Sequence, residues 1–269
     1  MFGASRESLK ALQSALRTDI AGTDLAHVGQ DLLAVADVLN VQRYLRLTLA
    51  DTSTRAQSRA DIATELFGPS LSPAGLTTLQ QVVAARWSHE RDLVDALDVL
   101  GAEASLLAAD RDGELDRVFE ELFHFTSALA SSDPLQLALT DPALSAEHKA
   151  AIVTDLVGAT ASPVTTSLLA HSVGHLRGRA PLDAITALSA LAADVRGQVV
   201  ADVRSPIALS PEQRTRLARV LAQITGTEVR LNVEIAPDVI GGIVVRVGDQ
   251  VIDGTVAARL EQAHRAVSA

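Results

Sequence analysis

The sequence predicts a mostly α-helical chain in which two tandem helical bundles, related by internal duplication, precede a small α+β domain. Hydrophobic residues form 48% of the 269 residues but aromatic residues only 3%, which favours aliphatic cores of packed helices. A register of similar residues repeats along the first two thirds of the chain. From about residue 197 the sequence pattern changes to alternating polar and apolar residues, which is typical of strands. We therefore expect domains at residues 1–112, 113–196 and 197–269.

The duplication is visible in matched segments of the sequence. Residues 45–51 read Leu-Arg-Leu-Thr-Leu-Ala-Asp, and residues 135–141, which lie 90 positions later, read Leu-Gln-Leu-Ala-Leu-Thr-Asp. Residues 60–68 match residues 150–158 at the same offset, and further along the register slips by one position. A period of this length predicts duplicated domains rather than a solenoid of short repeats.

Each copy is expected to consist of antiparallel helices with recognisable ends. Ser72-Pro73 and Ser162-Pro163 each combine a helix N-cap with a proline at the first helical position. Gly68 and Gly158 are expected to end the helices before them. The other expected features are an extra N-terminal helix over residues 5–20, last helices over residues 93–107 and 182–196, an interruption at Asp133-Pro134, an N-cap at Ser145, a break over residues 177–181 and a domain seam over residues 110–114.

The residues after 197 are expected to form the α+β domain. Residues 198–203 and 228–235 alternate polar and apolar residues and are rich in β-branched side chains, as half-buried strands are. Between them, Ser210 and Gln213 have the spacing of a capping box, which predicts a helix that runs to Thr225. The remaining expected elements are short strands over residues 243–247 and 250–252, a turn at Gly248-Asp249 and a final helix from about residue 253 through Arg259 and Leu260.

Charge and composition exclude several classes of function. The net charge of −10 argues against nucleic-acid binding, which needs a basic surface. The chain has no cysteine, so disulfides and cysteine-based zinc sites are excluded. No apolar run reaches the roughly 18 residues that cross a membrane, and residues 1–7 lack the apolar stretch of a signal peptide. We expect a cytosolic protein, or one held at a membrane only through partners.

No residue pattern predicts catalysis or a bound cofactor. There is no phosphate-binding loop and no Ser/His/Asp arrangement, and Gly241-Gly242 precedes a strand, where a turn is expected. His171 and His175 have a spacing that can bind zinc, but no acidic third ligand is near them in the sequence, so no metal site is predicted. Asp31 and Asp37 are expected to lie on a solvated helix face. Trp87, which is the only tryptophan, is expected to anchor its bundle.

The residues that carry a family resemblance lie near the C-terminus. Residues 238–261 read Asp-Val-Ile-Gly-Gly-Ile-Val-Val-Arg-Val-Gly-Asp-Gln-Val-Ile-Asp-Gly-Thr-Val-Ala-Ala-Arg-Leu-Glu. This segment closely resembles the signature of the ATP synthase delta subunit family, which includes the mitochondrial oligomycin-sensitivity-conferring protein. Residues 115–209 also resemble the helical domain of the family, so the chain resembles a long bacterial form with a duplicated helical domain. The matching positions are Gly242, Arg246, Gly248, Asp249, Val251, Ile252, Asp253, Gly254, Val256, Arg259 and Leu260.

The resemblance implies a non-catalytic stator subunit of a proton-translocating rotary ATP synthase, located at the cytoplasmic face of the cell membrane. In the family, the helical domain binds the N-terminal ends of the α subunits in the catalytic head. The C-terminal domain binds the C-terminal end of the helix of the membrane-anchored b subunit. Proton-driven rotation is thereby coupled to ATP synthesis, and no cofactor is implied. Val245 and Val251 are expected to line the groove for the b helix. The two helical copies are equal candidates for binding the catalytic head.

Two other functions fit the composition and the duplication. The chain would serve equally well as a helical adaptor or scaffold that binds an unrelated helical partner. A sensor with a small molecule between its bundles is the third alternative. Only residues 238–261 distinguish the ATP synthase role from these two.

Overall fold

The structure is a computed structural model that describes residues 3–18, 24–225, 228–236, 239, 241–247 and 250–253. Within these ranges, helices fill the chain up to residue 195, and strands occur only from residue 198 onwards. The expected fold class, helical bundles followed by a small α+β region, is confirmed. The helices are α1 (Ala4–Thr18), α2 (Leu25–Val41), α3 (Arg43–Ala50), α4 (Ala56–Phe67), α5 (Pro73–Ala84), α6 (Glu90–Arg111), α7 (Leu115–Ala130), α8 (Asp133–Thr140), α9 (Ala146–Val157), α10 (Pro163–Gly174), α11 (Pro181–Val195) and α12 (Pro211–Thr225), and the strands are β1 (Gln198–Ser205), β2 (Glu228–Ile235), β3 (Val244–Val247) and β4 (Gln250–Asp253).

The chain divides into two compact units, Met1–Leu188 and Ser189–Ala269. The helices α1–α10 and the first half of α11 lie in the first unit, which we call the helical unit. The end of α11, α12 and the strands lie in the second, which we call the sheet unit. The seam expected over residues 110–114 lies between α6 and α7, inside the helical unit. Its role as a domain boundary stays a prediction.

The helix bounds repeat with the offset found in the sequence. We call α2–α6 the first repeat and α7–α11 the second. The helices α3, α4 and α5 begin and end 90 residues before α8, α9 and α10, as Arg43 and Asp133 at the starts of α3 and α8 illustrate. The helices α6 and α11 begin at Glu90 and Pro181, which are 91 residues apart, and so reproduce the slip of one position. The order of helices in the two repeats is therefore the same.

Side-chain hydrogen bonds repeat as well. Ser72 and Ser162 cap α5 and α10 with the same backbone angles, φ −63° and ψ 154°. The N–H of Ser72 donates to Asp31 Oδ2 at 2.9 Å, and the N–H of Ser162 donates to Glu121 Oε1 at 3.0 Å. Because Asp31 and Glu121 hold the same position in their repeats, each repeat uses a carboxylate of its first helix to fix the start of its fourth. The expectation that Asp31 is a solvated surface residue was wrong.

A second repeated contact closes the first helix of each repeat. Arg46 donates to the carbonyl oxygen of Leu39 at 2.8 Å, and Gln136 donates to the carbonyl oxygen of Leu129 at 2.9 Å. The last carbonyls of a helix have no partner within it, so a side chain from the following helix supplies one. The two repeats thus share this contact, although the donor is Arg46 in the first repeat and Gln136 in the second.

The surroundings of Glu121 lower its pKa. Burial would raise the pKa of this carboxyl, but hydrogen bonds from Thr165, Ser162 and Arg117 outweigh that effect and hold the pKa below its ordinary value. A group with a lowered pKa in the folded state stabilises the fold at pH values above its unfolded pKa. That contribution is lost as the pH falls through the folded pKa.

We therefore expect the second repeat to lose stability in acid partly through Glu121. The Glu121→Gln variant should be less stable than the parent at neutral pH, and the difference should vanish below the folded pKa. Urea unfolding followed by far-UV circular dichroism across a pH series measures this, with Glu120→Gln as a control at an exposed position of the same helix. A constant difference between Glu121→Gln and the parent at every pH would contradict the assignment.

The core of the first repeat is built around α6, which packs against α1, α2, α3 and α5. The helices α2 and α6 approach closely at Gly29 and Gly101. A Cβ atom on Gly29 would lie 2.8 Å from the carbonyl oxygen of Gly101, and a Cβ atom on Gly101 would lie 2.8 Å from Leu33 Cγ. A larger residue at either position would push the two helices apart. Trp87 is buried at the edge of this core and donates to the carbonyl oxygen of Val82 at 2.9 Å, which confirms its role as an anchor.

Arg59 is a buried cation that holds three segments of the first repeat together. It lies in α4, and its side chain is surrounded by backbone carbonyls from the α3–α4 loop and from the end of α5. The nearest equivalent in the second repeat is Lys149, which has no such set of contacts within the described ranges. The guanidinium donates to the carbonyl oxygens of Asp51 (3.0 Å), Thr54 (2.6 Å), Val83 (2.8 Å), Ala84 (3.0 Å) and Ala85 (3.0 Å).

Several helix ends differ from the expectation. The break expected at Asp133-Pro134 lies just before these residues, because Ser132 is the N-cap of α8 and Pro134 fits within its first turn. Gly158 follows α9 as expected, but it has the right-handed angle φ −60°. Ser145 caps α9 as expected, by accepting a hydrogen bond from the N–H of His148 at 3.3 Å. The break between α10 and α11 contains Arg177, whose φ of 49° is in the left-handed region.

The sheet unit has four strands in the order β2-β1-β3-β4. The strands β1 and β2 are parallel and are connected through α12, whereas β3 is antiparallel to both β1 and β4. The capping box is confirmed: the N–H of Gln213 donates to Ser210 Oγ at 3.2 Å, and the N–H of Ser210 donates to Gln213 Oε1 at 2.8 Å. The core contains Ala201, Val203, Leu221, Val229 and Val245.

Candidate functional site

The described residues of the predicted motif of residues 242–260 lie on or beside β3 and β4. Gly242 precedes β3, Val245 and Arg246 lie on it, and Val251, Ile252 and Asp253 lie on β4. The predicted pair of short antiparallel strands is confirmed. Gly248, Asp249, Gly254, Val256, Arg259 and Leu260, with the final helix expected there, lie outside the described residues.

The turn expected at Gly241-Gly242 is confirmed. Both residues have positive φ, 66° and 84° respectively, a region that L side chains rarely adopt. They therefore form a tight turn at the entrance to β3, and no phosphate-binding role is needed to explain them.

Val245 and Arg246 lie on opposite sides of the sheet. Val245 is 2% exposed and packs in the core of the sheet unit, whereas Arg246 is exposed. In the backbone register, Ile252 pairs with Val245, and Val251 pairs with Arg246. Val245 thus belongs to the core of the sheet unit. A substitution of Val245 would therefore affect the folding of this unit, so its effect on partner binding could not be measured separately.

Two exposed apolar residues of the sheet unit lie on α12, and two others, Ile207 and Ile235, lie before this helix and at the end of β2. Val220 and Ile224 are four residues apart on this helix, so they are neighbours on its surface, and they are 44% and 61% exposed. The helix buries Leu221 in the core of its own unit. The Val220/Ile224 pair does not pack in that core and is therefore a candidate contact surface for a partner.

The helical unit exposes leucines at the same positions of both repeats. Leu47 on α3 corresponds to Leu137 on α8, and Leu66 on α4 corresponds to Leu156 on α9, with an offset of 90 residues in each case. All four are exposed, Leu137 to 74%. Each repeat therefore presents leucines on its second and third helices, which we call the leucine surface of that repeat.

A polar cluster lies where α2 and α6 of the first repeat meet the end of α10. Asp37 Oδ1 is 3.3 Å from His171 Nδ1 and 3.3 Å from His175 Nε2. His171 Nε2 is 2.9 Å from Asp98 Oδ1. Asp37 is exposed, as expected for a solvated helix face, but its carboxylate also contacts both histidines.

Arg177 closes this cluster on the side of α6. Its guanidinium forms ion pairs with Asp95 and with Asp98, at 2.6 Å from Asp98 Oδ2, and its Nε donates to Asn40 Oδ1 at 3.2 Å. Burial would raise the pKa of Asp98, but the hydrogen bond with His171 and the charge of Arg177 outweigh it and hold that pKa below its usual range. The sequence indicated only the spacing of His171 and His175 and not the rest of this cluster, because the other residues come from helices that are far apart in the chain.

The described residues contain no helix that is both long and apolar enough to cross a membrane. Titratable groups among these residues take part in caps, ion pairs and the polar cluster. Ser145 Oγ lies 2.9 Å from His148 Nδ1, and this contact belongs to the N-cap of α9. Exposed apolar side chains occur on both units.

Comparison with known proteins identifies relatives of the whole chain. The family model of the ATP synthase delta (OSCP) subunit matches residues 101–267, which include the second repeat and all but the last two residues of the sheet unit. The ATP synthase subunit delta of Nocardia farcinica is 42% identical over 267 residues, covering 98% of this chain and 99% of the relative. The subunit delta of Streptomyces griseus is 39% identical, covering 98% of each. The first repeat thus has a counterpart in these relatives.

A solved structure is also similar to part of the chain. A chain in the cryo-EM structure of the Toxoplasma gondii mitochondrial ATP synthase hexamer is 26% identical, with a TM-score of 0.40, covering 64% of this chain and 98% of that one. This TM-score is too low to support a structural argument.

Proposed function

Because the chain belongs to the ATP synthase delta (OSCP) subunit family, we propose that it links the catalytic head of the enzyme to the b subunit. Its role is that of a non-catalytic peripheral-stalk subunit. In this proposal the helical unit binds the N-terminal ends of the α subunits and the sheet unit binds the C-terminal end of the b helix. The protein then sits at the cytoplasmic face of the membrane and is held there by its partners.

One observation supports this proposal beyond the family: exposed apolar surfaces occur on both compact units. A linker between two partners needs separate binding surfaces, and an amphipathic helix laid on an apolar surface is a common mode of recognition. The leucine surfaces of the repeats suit the α N-terminal segments. The Val220/Ile224 pair on α12 suits the b helix. The division into domains at residues 1–112, 113–196 and 197–269 belongs to the same proposal.

The second repeat is the proposed site for the head, because the family model covers it. Changing Leu137 and Leu156 together to aspartate should weaken binding of an α N-terminal peptide at least about tenfold, since a charge would be buried without a partner. Calorimetric titration of the full chain with the peptide measures this. Ala151→Asp is the control, because it adds a charge at an exposed position of α9.

The equivalent variant of the first repeat, Leu47→Asp with Leu66→Asp, shows whether that repeat binds a second α segment. A loss of one bound peptide per chain would assign the repeat this role. If neither double variant changes peptide binding, the leucine surfaces do not bind the head. A helical adaptor for an unrelated partner would then be the better description.

A further inference from the structure

We propose that Asp37, His171 and His175 form a binding site for a zinc ion that joins the two helical repeats. Asp37 belongs to α2 of the first repeat, and the two histidines lie at the end of α10 of the second repeat. Within the described residues, this is the group of three possible ligands whose atoms all lie within 4.8 Å of one another. Nothing in the family assignment requires such a site, and it does not depend on the proposed function.

Two of the three distances between the ligand atoms fit a tetrahedral ion. Zinc is bound by histidine nitrogens and carboxylate oxygens at about 2.0–2.2 Å, so two ligands of a tetrahedral ion are roughly 3.3–3.5 Å apart. Asp37 Oδ1 is 3.3 Å from a ring nitrogen of each histidine. Charge-assisted hydrogen bonds are shorter, about 2.7–2.9 Å. The separation therefore corresponds to the edge of a zinc coordination tetrahedron.

The other nitrogen of each histidine is already committed. His171 Nε2 is 2.9 Å from Asp98 Oδ1, and His175 Nδ1 is 3.2 Å from the carbonyl oxygen of His171. A carboxylate and a carbonyl only accept hydrogen bonds, so these two nitrogens donate. In the neutral rings, His171 Nδ1 and His175 Nε2 then carry lone pairs, and both face the oxygen of Asp37. A cation between them turns this repulsion into three coordinate bonds.

The surroundings are those of a metal site. Metal-bound histidines commonly donate their second N–H to a carboxylate, as His171 does to Asp98. Asp98 is itself fixed by Arg177. The cluster contains three carboxylates, Asp37, Asp95 and Asp98, but only one guanidinium, so a cation is also favoured by charge. The exposed side of Asp37 leaves room for water as the fourth ligand.

Zinc would stabilise the junction between the repeats. It would connect α2 to α10 at a place where the two repeats already share the ion pairs of Arg177. Binding to the folded state alone raises the unfolding temperature of the chain in a zinc-dependent way. The junction between the two repeats would become stiffer, and zinc would have no catalytic role there.

The test uses the full chain without an affinity tag. After treatment with a chelator, zinc chloride is titrated against a chromophoric competitor, and Co²⁺ is added separately to record its visible absorption. We expect one saturable site per chain and the intense band of tetrahedral Co²⁺. Asp37→Asn and His175→Gln should each weaken zinc binding at least about tenfold. Neither variant should show the rise in unfolding temperature on addition of zinc.

His27→Gln is the matched control, because His27 on α2 pairs with a single carboxylate, that of the N-cap residue Asp24, at 2.7 Å. Its zinc affinity should equal that of the parent. The absence of saturable zinc binding to the parent chain would overturn the proposal and leave the cluster as ion pairs between protonated histidines and carboxylates. Equal affinity in the parent, Asp37→Asn and His175→Gln would overturn it as well. If a variant fails to fold, the Co²⁺ spectrum of the parent provides the test: the intense tetrahedral band supports the site, and its absence overturns the proposal.

Discussion

Replacing Arg59 with alanine is expected to lower the free energy of unfolding of the first repeat by at least about 3 kcal/mol. The change removes the donor to five backbone carbonyls at once. Carbonyls that are buried without a partner cost about 1–3 kcal/mol each, although water entering the space will satisfy some of them. Urea unfolding followed by the fluorescence of Trp87 measures this, because the only tryptophan lies in the first repeat beside the carbonyls that Arg59 contacts.

Lys149→Ala provides the matched control. Lys149 holds the same repeat position, but within the described residues it lacks the carbonyl contacts of Arg59. Its removal should change stability by less than about 1 kcal/mol. Similar losses for Arg59→Ala and Lys149→Ala would show that the carbonyl contacts of Arg59 contribute little.

The second large effect is expected at α12. Changing Val220 and Ile224 together to aspartate should weaken binding of a peptide from the C-terminal end of the b helix by about 100-fold, because hot-spot side chains commonly contribute about 2 kcal/mol or more each to binding. Both side chains are exposed, so the sheet unit should still fold. Fluorescence anisotropy of a labelled peptide measures the affinity, and circular dichroism checks the fold.

Gln223→Asp is the control for this experiment, because it adds a charge at an exposed position of the same helix between the two changed residues. It should bind the b peptide as the parent does. Normal binding by the Val220→Asp, Ile224→Asp variant would exclude α12 as the docking surface. The exposed face of β3 around Arg246 would then be the next surface to test.

The sequence predicted the repeat architecture well because local signals mark it. Ser72-Pro73 and Ser162-Pro163 start helices for reasons contained within a few residues. The same holds for the alternation that predicted β1 and β2 and for the capping box at Ser210. These features depend on neighbours along the chain, which a sequence displays directly.

The contacts that the sequence did not predict join residues far apart in the chain. Asp31 was expected to face solvent, yet it fixes the start of α5 at Ser72. Asp37 meets the histidines only because the fold brings the end of α10 next to Asp37 of α2. Which face of β3 is internal was also not predictable, since it depends on the side of the sheet that α12 covers.

The central claim is that the two units bind two different partners at the same time. Sedimentation of the chain with both the catalytic head and a soluble b segment tests it most directly. We expect the parent chain to bring b down with the head. The Leu137→Asp, Leu156→Asp variant should bind b but not the head. The Val220→Asp, Ile224→Asp variant should bind the head but not b. If b sediments with the head in the absence of the chain, or if either variant loses both partners while folded, the account of a two-sided link is contradicted.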